Sequence, residues 1–371
     1  MNIPLAAPVF DEEMKSAAVY ALQNDRFVMG ESVQEFEEEF ARFCGARFGV
    51  ATSSGTSALA LSLIALDIKG GEVLTSPASF VATANAVLHA GGTPKFADIS
   101  MLTYTVDPER LKAAVKKQRT KALLPVHLYG HPACMDEIHD VASENGIALV
   151  EDACQAHGAV YNGMKVGAIG DVGCFSFYPS KNMTVGGDGG IAVTNDESIA
   201  EVVGSLRDSG RAKGSKYRHV KIGFTARMNS VQAAVGRVQL KRLDDWNNRR
   251  RTIASQYDKL LSDVKVILPP REHGETKPVY HMYVIRSSRR DDLKEWLEAK
   301  GIECGIHYPA PIHLQPIYCE MFGYKGGEYP NAELLSKEAL SIPMFPGLTE
   351  EQVEFVANSI REFSFQEKER S

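Results

Sequence analysis

Three short segments carry side chains able to do chemistry together. The first is Ser53-Ser54-Gly55-Thr56-Ser57, which stands between an apolar run and an apolar helical pattern. Hydroxyls and free backbone N–H groups at a helix start, with the positive end of the helix dipole, suit an anion such as phosphate. The same residue types also cap helices that hold no ligand. The second is Leu149-Val150-Glu151-Asp152-Ala153-Cys154-Gln155, an apolar run ending in two acids. A carboxylate at the C-terminal end of a parallel strand lies where α/β proteins bind ligands. A helix cap is the plainer alternative. The third is Phe175-Ser176-Phe177-Tyr178-Pro179-Ser180-Lys181, followed by Gly186, Gly187, Gly189 and Gly190. A lysine between a buried strand and a glycine-rich turn can lose proton affinity and take up Schiff-base chemistry. Most lysines, by contrast, are simply solvated.

The elements that must position these segments follow from the hydrophobic pattern. Short apolar runs predict strands at Phe48–Thr52, Glu72–Ser76, Pro94–Asp98, Ala122–His127, Ala148–Asp152, Gly173–Phe177 and Gly190–Thr194. Amphipathic or apolar helical runs such as Thr56–Leu66 and Met135–Asn145 lie between them. This rhythm predicts an α/β domain with a mostly parallel, buried central sheet flanked by helices. From about Ser230 the texture changes. Val231–Asp258 predicts one long charged helix. Val264–Leu268 and Tyr280–Arg286 predict strands, and Asp291–Lys300, Asn331–Ala339 and Thr349–Phe363 predict helices. We expect a large domain over residues 1–245 and a smaller C-terminal α+β domain over 246–371. The N-terminal segment 1–25 is free to pack with the small domain. The polar tail, Gln366–Ser371, is expected to fray.

Composition narrows the function. The chain has 371 residues and a net charge of -6, from 41 Lys+Arg against 47 Asp+Glu. That balance disfavours general binding to nucleic acid or an anionic membrane. The six cysteines form no C-x-x-C pair, and the spacing of His127, His131, Cys134 and His139 matches no standard metal-ligand pattern. No metal site is expected. The long stretches without charge, Phe48–Leu66 and Val73–Pro94, are broken by Ser, Thr, Gly, Pro or Asn and read as buried core. No targeting segment is visible, so the cytoplasm is the expected compartment. No phosphate-binding P-loop is present. The Gly187–Ala192 run fits a dinucleotide fingerprint only superficially, because it precedes a strand rather than opening a helix.

Taken together, a phosphate-type helix start, a strand-end acid and a lysine about 30 residues further on give the order of a pyridoxal 5′-phosphate (PLP) site. The phosphate anchors the cofactor, the acid keeps its ring nitrogen protonated, and the lysine holds its aldehyde. The sequence resembles the nucleotide-sugar aminotransferases of the DegT/DnrJ/EryC1/StrS family, which have the fold type I PLP-dependent architecture. The stretches SSGTSAL, SPASFVATANAVLHAGGTPKFADI, LPVHLYG, VEDACQAHGA, FSFYPSKNMTVGGDGG, RMNSVQAA and IHYPAPIHLQPIY carry the resemblance across nearly the whole chain.

The resemblance implies that Lys181 forms the link to PLP and Asp152 pairs with the pyridine nitrogen. Gln155 would lie near the ring hydroxyl. Thr56, Ser57 and Ser176 would contact the phosphate, with Gly55 allowing close approach, and Phe80 would stack on the ring. Asn229 would reach across a homodimer interface to the neighbour's phosphate. His307, Tyr308 and His313 fall in the segment that the family places near the sugar nucleotide. The basic Lys216-Tyr217-Arg218 loop would meet a diphosphate or simply be solvated. The implied reaction transfers an amino group from L-glutamate, through the pyridoxamine 5′-phosphate form, to a nucleotide-linked keto sugar by a ping-pong scheme. Dehydratase relatives that use pyridoxamine phosphate carry His at the Lys181 position, so Lys181 favours transamination. A non-catalytic, PLP-binding regulatory protein is a further alternative, whose signature would be loss of Lys181 or Asp152. A nicotinamide oxidoreductase would lack a PLP site altogether. One departure is Thr225, where relatives often have Asn before the Arg of this loop. Asp188 stands where Glu is common.

Overall fold

The computed structural model describes residues 1–271 and 276–368. Helices α1 (Glu12–Asn24) and α2 (Glu31–Cys44) precede the sheet. The βα sequence then runs β1 (Phe48–Thr52), α3 (Gly55–Ala65), β2 (Glu72–Thr75), α4 (Ala82–His89), β3 (Thr93–Phe96), α5 (Pro108–Ala114), β4 (Thr120–Leu124), α6 (Met135–Asn145) and β5 (Ala148–Asp152). A short hairpin, β6 (Val160–Tyr161) and β7 (Met164–Lys165), leads to β8 (Val172–Ser176), β9 (Gly190–Thr194) and α7 (Glu197–Arg207). Seven strands form one sheet in the order β1-β9-β8-β5-β4-β2-β3. Within it β2, β3, β4, β5 and β8 pair in parallel, and β9 runs antiparallel to both β8 and β1. The C-terminal ends of β1, β2, β4, β5 and β8 therefore share one edge of the sheet.

Side-chain alternation along the strands divides the core. Phe175, Ile191 and Val193 pack with Phe36 and Phe40 of α2. Val172, Cys174 and Ala192 pack on the other face with Ala58, Leu59 and Leu61 of α3 and Val203 of α7. Cover on both faces explains why the strands read as continuous apolar runs, and α3 is apolar all round because it packs on the sheet, α4 and α7.

The C-terminal unit comprises α9 (Leu243–Leu260), which follows α8 (Ser230–Leu240), then β10 (Tyr283–Arg286), α10 (Arg290–Ala299), α11 (Pro316–Phe322), α12 (Pro330–Glu338), β11 (Ala339–Ile342) and α13 (Glu350–Lys368). Strands β10 and β11 pair antiparallel. Its core gathers Ile253, Tyr257, Tyr283, Leu297 and Ile360, and also Ile3 from the chain's start. Ile3 donates to the Gly301 carbonyl and accepts from Glu303 N–H, both at 2.9 Å. Helix α1, in contrast, packs on α8. Residues 245 and 246 lie inside α9, which serves both units. Asn247 bonds the His157 carbonyl at 2.8 Å, while Ile253, Ala254 and Tyr257 enter the C-terminal core.

Four sequence expectations need correction. Val231–Asp258 is two helices, interrupted at Lys241 and Arg242, where the Arg242 guanidinium turns to Asp11 and Glu13. Val264–Leu268 is not a strand. Only Ile267 pairs, with Arg286. Strand β4 stops at Leu124 because Pro125 has no N–H to continue the ladder. Val126 and His127 nevertheless stay beside Asp152, whose carbonyl accepts His127 N–H at 3.1 Å. Helix α13 continues through Lys368, so the first three residues of the tail expected to fray are helical; Glu369–Ser371 lie outside the described residues. Among the described residues, no helix is long and apolar enough to cross a membrane.

Candidate active site

Parallel pairing brings the three chemistry-bearing segments to one edge. Asp152 sits in register with Cys174, and Ser176 with Gly190, which in turn faces Thr52. The two acids ending β5 then part company. Val150 faces the α3 side of the sheet, so Asp152, two residues on, faces that side too, and Glu151 points to the other. Asp152 is 4% exposed. Its Oδ2 accepts from Thr83 Oγ1 at 2.7 Å and its Oδ1 from Cys154 N–H at 3.2 Å. Thr83 is itself bonded to Ser79 at 2.8 Å. Glu151, fully buried, accepts from Gly167, Ile169 and Gly170 N–H groups and from His127 Nε2. One acid is thus a structural pivot and the other faces the cleft.

Lys181 follows β8 by a short turn, its N–H bonded to the Tyr178 carbonyl at 2.9 Å. Its side chain is only partly accessible. Desolvation holds the amine below the ordinary lysine value, and the neighbouring Cys154 and Asp152 oppose that shift. A lysine so placed reaches its neutral, nucleophilic form more readily than a solvated one.

Helix α3 starts at Gly55, with Ser54 as its cap accepting Ser57 N–H at 3.1 Å. Ser57 Oγ also lies 3.1 Å from Ser53 Oγ and 3.0 Å from Ser54 Oγ. The glycines here are a packing requirement. A Cβ on Gly55 would stand 2.7 Å from Ser176 Cβ and 2.8 Å from Cys154 Sγ. One on Gly190 would stand 2.3 Å from the Ser54 carbonyl oxygen. Both allow the helix start to press against the strand ends, a setting in which its hydroxyls and N–H groups suit an anion.

The remaining wall joins the two units. Gln155 accepts Tyr129 N–H at 2.8 Å and donates to the Tyr308 hydroxyl at 3.1 Å. The Phe80 ring, 54% exposed, lies 5.6 Å from the Tyr308 ring. His307 Nδ1 is 2.9 Å from Ser341 Oγ. Burial, with the Lys181 charge in range, lowers His307 to about 4, so it is neutral at ordinary pH. His157 and His281 are also buried and held neutral by desolvation first and the Lys181 charge second.

His313 lies away from the cleft, and Asn229, expected to serve a neighbouring protomer, faces outward. His313 is fully buried among Tyr329, Tyr324 and Phe96, with Nε2 3.2 Å from Glu333, and has no surface to offer a substrate. The Pro-rich segment turns inward after Tyr308, which its spacing alone does not reveal. Asn229 caps α8, accepting Gln232 N–H at 2.9 Å, and is exposed on the chain's outer face. Phe10, Leu22 and Phe27, all more than half exposed, line the same groove. Lys216, Tyr217 and Arg218 are exposed. Sequence reasoning missed Thr83 and Tyr129. Thr83 closes the Phe-Val-Ala-Thr segment that also holds Phe80, which was the available signal.

The residues present fit PLP. A helix start rich in hydroxyls and packed tightly through Gly55 and Gly190, a buried carboxylate facing the cleft and a desolvated lysine meet at one edge. The chain belongs to the DegT/DnrJ/EryC1/StrS aminotransferase family, whose model matches residues 8–361. It is an aminotransferase of the fold type I PLP-dependent architecture. It is 40% identical to a dTDP-3-amino-3,4,6-trideoxy-alpha-D-glucose transaminase from Streptomyces venezuelae, over 95% of this chain and 92% of that one. It is 39% identical to a UDP-N-acetyl-3-dehydro-alpha-D-glucosamine 3-aminotransferase from Acidithiobacillus ferrooxidans, over 96% and 94%. Among solved structures, S. venezuelae DesV in complex with a ketimine intermediate matches with a TM-score of 0.91 and 40% identity, covering 95% of this chain and 94% of that one.

Proposed function

We propose that this chain is a PLP-dependent aminotransferase that places an amino group at C3 of a nucleotide-linked keto sugar. L-Glutamate is the donor in a ping-pong scheme, and the working unit is a homodimer. The observation that carries the reading is the desolvated Lys181 amine, acted on by the Asp152 carboxylate, at the sheet edge where helix α3 begins against Ser176 and Cys154. The choice of C3 is supported by the S. venezuelae and A. ferrooxidans relatives, both named for amination at that position. Retention of Lys181 and Asp152 supports turnover over a purely regulatory role, and Lys181 supports transamination over dehydration.

Bound PLP would supply an electrophilic aldehyde and an electron-withdrawing ring. The chain's own residues do the rest. Asp152 is fixed by Thr83 and the Cys154 N–H, and its remaining lone pairs hold the proton on the cofactor's ring nitrogen. Lys181 takes the proton from the donor's α-carbon and later delivers one to the sugar carbon, acting in turn as general base and general acid. The Ser54–Ser57 hydroxyls, the α3 N–H groups and Ser176 hold the phosphate. Phe80 would cover a ring face of bound PLP, and Gln155 would lie near its ring hydroxyl. His307 and Tyr308 receive the sugar. Asn229 serves the partner's phosphate from the outer face it shares with Phe10, Leu22 and Phe27, an apolar surface of the kind oligomers cover.

The test loads the protein with PLP, converts it with L-glutamate, and offers UDP- and dTDP-linked 3-keto and 4-keto hexoses. The proposal expects amino sugar, by mass spectrometry, from a 3-keto substrate. Turnover confined to 4-keto sugars overturns the position, and no amino sugar from any of them overturns the substrate class. Mixing Asn229→Ala and Lys181→Ala protomers should restore part of the activity. No recovery refutes the shared site.

A further inference from the structure

The cleft has walls from two units, and Tyr129 ties them together with every polar group it owns. Its hydroxyl donates to the His307 carbonyl. Its N–H donates to Gln155 Oε1 at 2.8 Å. Its carbonyl accepts from Met282 N–H at 3.4 Å, just before β10. Gln155 closes the ring by donating to the Tyr308 hydroxyl at 3.1 Å. Tyr129, Gln155, Tyr308 and His307 thus form one closed circuit of three hydrogen bonds and the His307–Tyr308 peptide link, with two members from each unit. Tyr129 is 7% exposed, so a missing partner there would leave a buried polar atom unmet. Its backbone, at φ 57° and ψ 11°, lies in the left-handed region, which an aromatic residue occupies only where its surroundings impose it. That turn aims its N–H at Gln155.

The circuit acts on the two residues that can face a bulky second substrate. Ser341 already occupies His307 Nδ1, leaving Nε2 for a ligand. The Tyr308 ring is backed by Phe80. Neither residue is fixed by regular secondary structure, since both lie between the α10 region and the short turn before α11. Their pose therefore depends on anchors from outside the segment.

We propose that Tyr129 is a positioning residue for the sugar half of the reaction, holding His307 and Tyr308 in one pose so that a nucleotide-linked sugar meets a preformed face. This rests on the function proposed above. The amino donor is small and reacts at Lys181, so its half-reaction makes little use of that wall.

The test is Tyr129→Phe in the PLP-loaded protein, which removes the hydroxyl and keeps the ring and backbone bonds. Two half-reactions are followed by cofactor absorbance: loss of the PLP signal on adding L-glutamate, and its return on adding the keto-sugar nucleotide that the wild type turns over. The expected result is a KM for the sugar raised about tenfold, the loss of one net hydrogen bond, with the donor half changed less than about twofold on the same scale. Hydrogen exchange of the wild type and variant without substrate gives a second readout, in which the amides of residues 305–310 should lose protection. Equal slowing of both halves, or an unchanged sugar KM with unchanged protection, overturns the proposal. If the wild type accepts no sugar nucleotide, the function proposed above fails. The exchange result still decides whether Tyr129 fixes the wall.

Discussion

Replacing Glu151 by Gln changes almost no volume, yet should be among the most damaging single changes outside the cleft. Glu151 is fully buried and its two oxygens accept four bonds. Oε1 accepts Ile169 N–H at 2.8 Å and Gly170 N–H at 2.7 Å. Oε2 accepts Gly167 N–H at 2.7 Å and lies 3.0 Å from His127 Nε2. The tautomer of His127 is fixed from its other side, where Nδ1 accepts Ala133 N–H at 3.0 Å, so Nε2 carries the proton and donates. All four partners are therefore donors. Whichever way a Gln amide turns, its NH₂ group meets two donors and accepts from neither. Two charge-assisted bonds are lost at roughly 1.5–3 kcal/mol each, for a total of about 3–6 kcal/mol. That is a large share of the 5–15 kcal/mol that holds a typical domain folded. The assay is urea unfolding at one fixed protomer concentration, comparing midpoints at equal slope. A loss below about 1 kcal/mol would refute the argument, because it would mean that these donors find other partners or that the carboxylate's charge contributes little.

Other consequences follow from the same geometry. Gly55→Ala places a methyl 2.7 Å from Ser176 Cβ and 2.8 Å from Cys154 Sγ. It should lower stability by about 1–3 kcal/mol and weaken PLP retention, checked by thermal melting and cofactor titration. Asp152→Asn should keep the cofactor but slow turnover about a hundredfold or more, because the ring nitrogen loses its anionic partner. Steady-state kinetics at saturating PLP decides this. Burial, helped by the Lys181 charge, lowers His157 from 6.5 to about 3. Below pH 6.5 the unfolded chain takes a proton that folded His157 refuses, so stability falls as pH drops towards that lowered value. His157→Phe suits the surrounding Phe40, Phe175 and Phe177 rings and should flatten the slope between pH 6 and 4.5 by about 1.4 kcal/mol per unit. An unchanged slope in urea melts would contradict the assignment.

Much of the architecture was legible because it rests on local pattern. The strand β5 and the helix α6 fall at the predicted residues, since buried parallel strands leave unbroken apolar runs and amphipathic helices leave a 3.6-residue period. The break between α8 and α9 was hidden because no Pro or Gly marks it; Arg242 there pairs with Asp11 and Glu13, more than 200 residues away. Ile267 looked like part of a strand because its apolar neighbours pack in the core without pairing. At the site, Glu151 and Asp152 are equivalent letters in the sequence, and only the pleat separates a buried pivot from a cleft-facing acid. Lys181 was legible by position, but its desolvation depends on elements brought together by the fold. Tyr129 fell within the LPVHLYG stretch, but its role was hidden because its contacts are to residues 155, 282 and 307, all distant in the chain. His313 shows the reverse, a residue whose motif suggested contact with substrate and whose burial removes it.

The central claim is that Lys181 is the residue that holds PLP. The direct measurement is borohydride reduction of the PLP-loaded protein, followed by proteolysis and mass mapping of the pyridoxyl label. The account predicts a single label on Lys181 and protection from labelling after conversion with L-glutamate. A label on another lysine, or none on a protein that binds PLP, would contradict it.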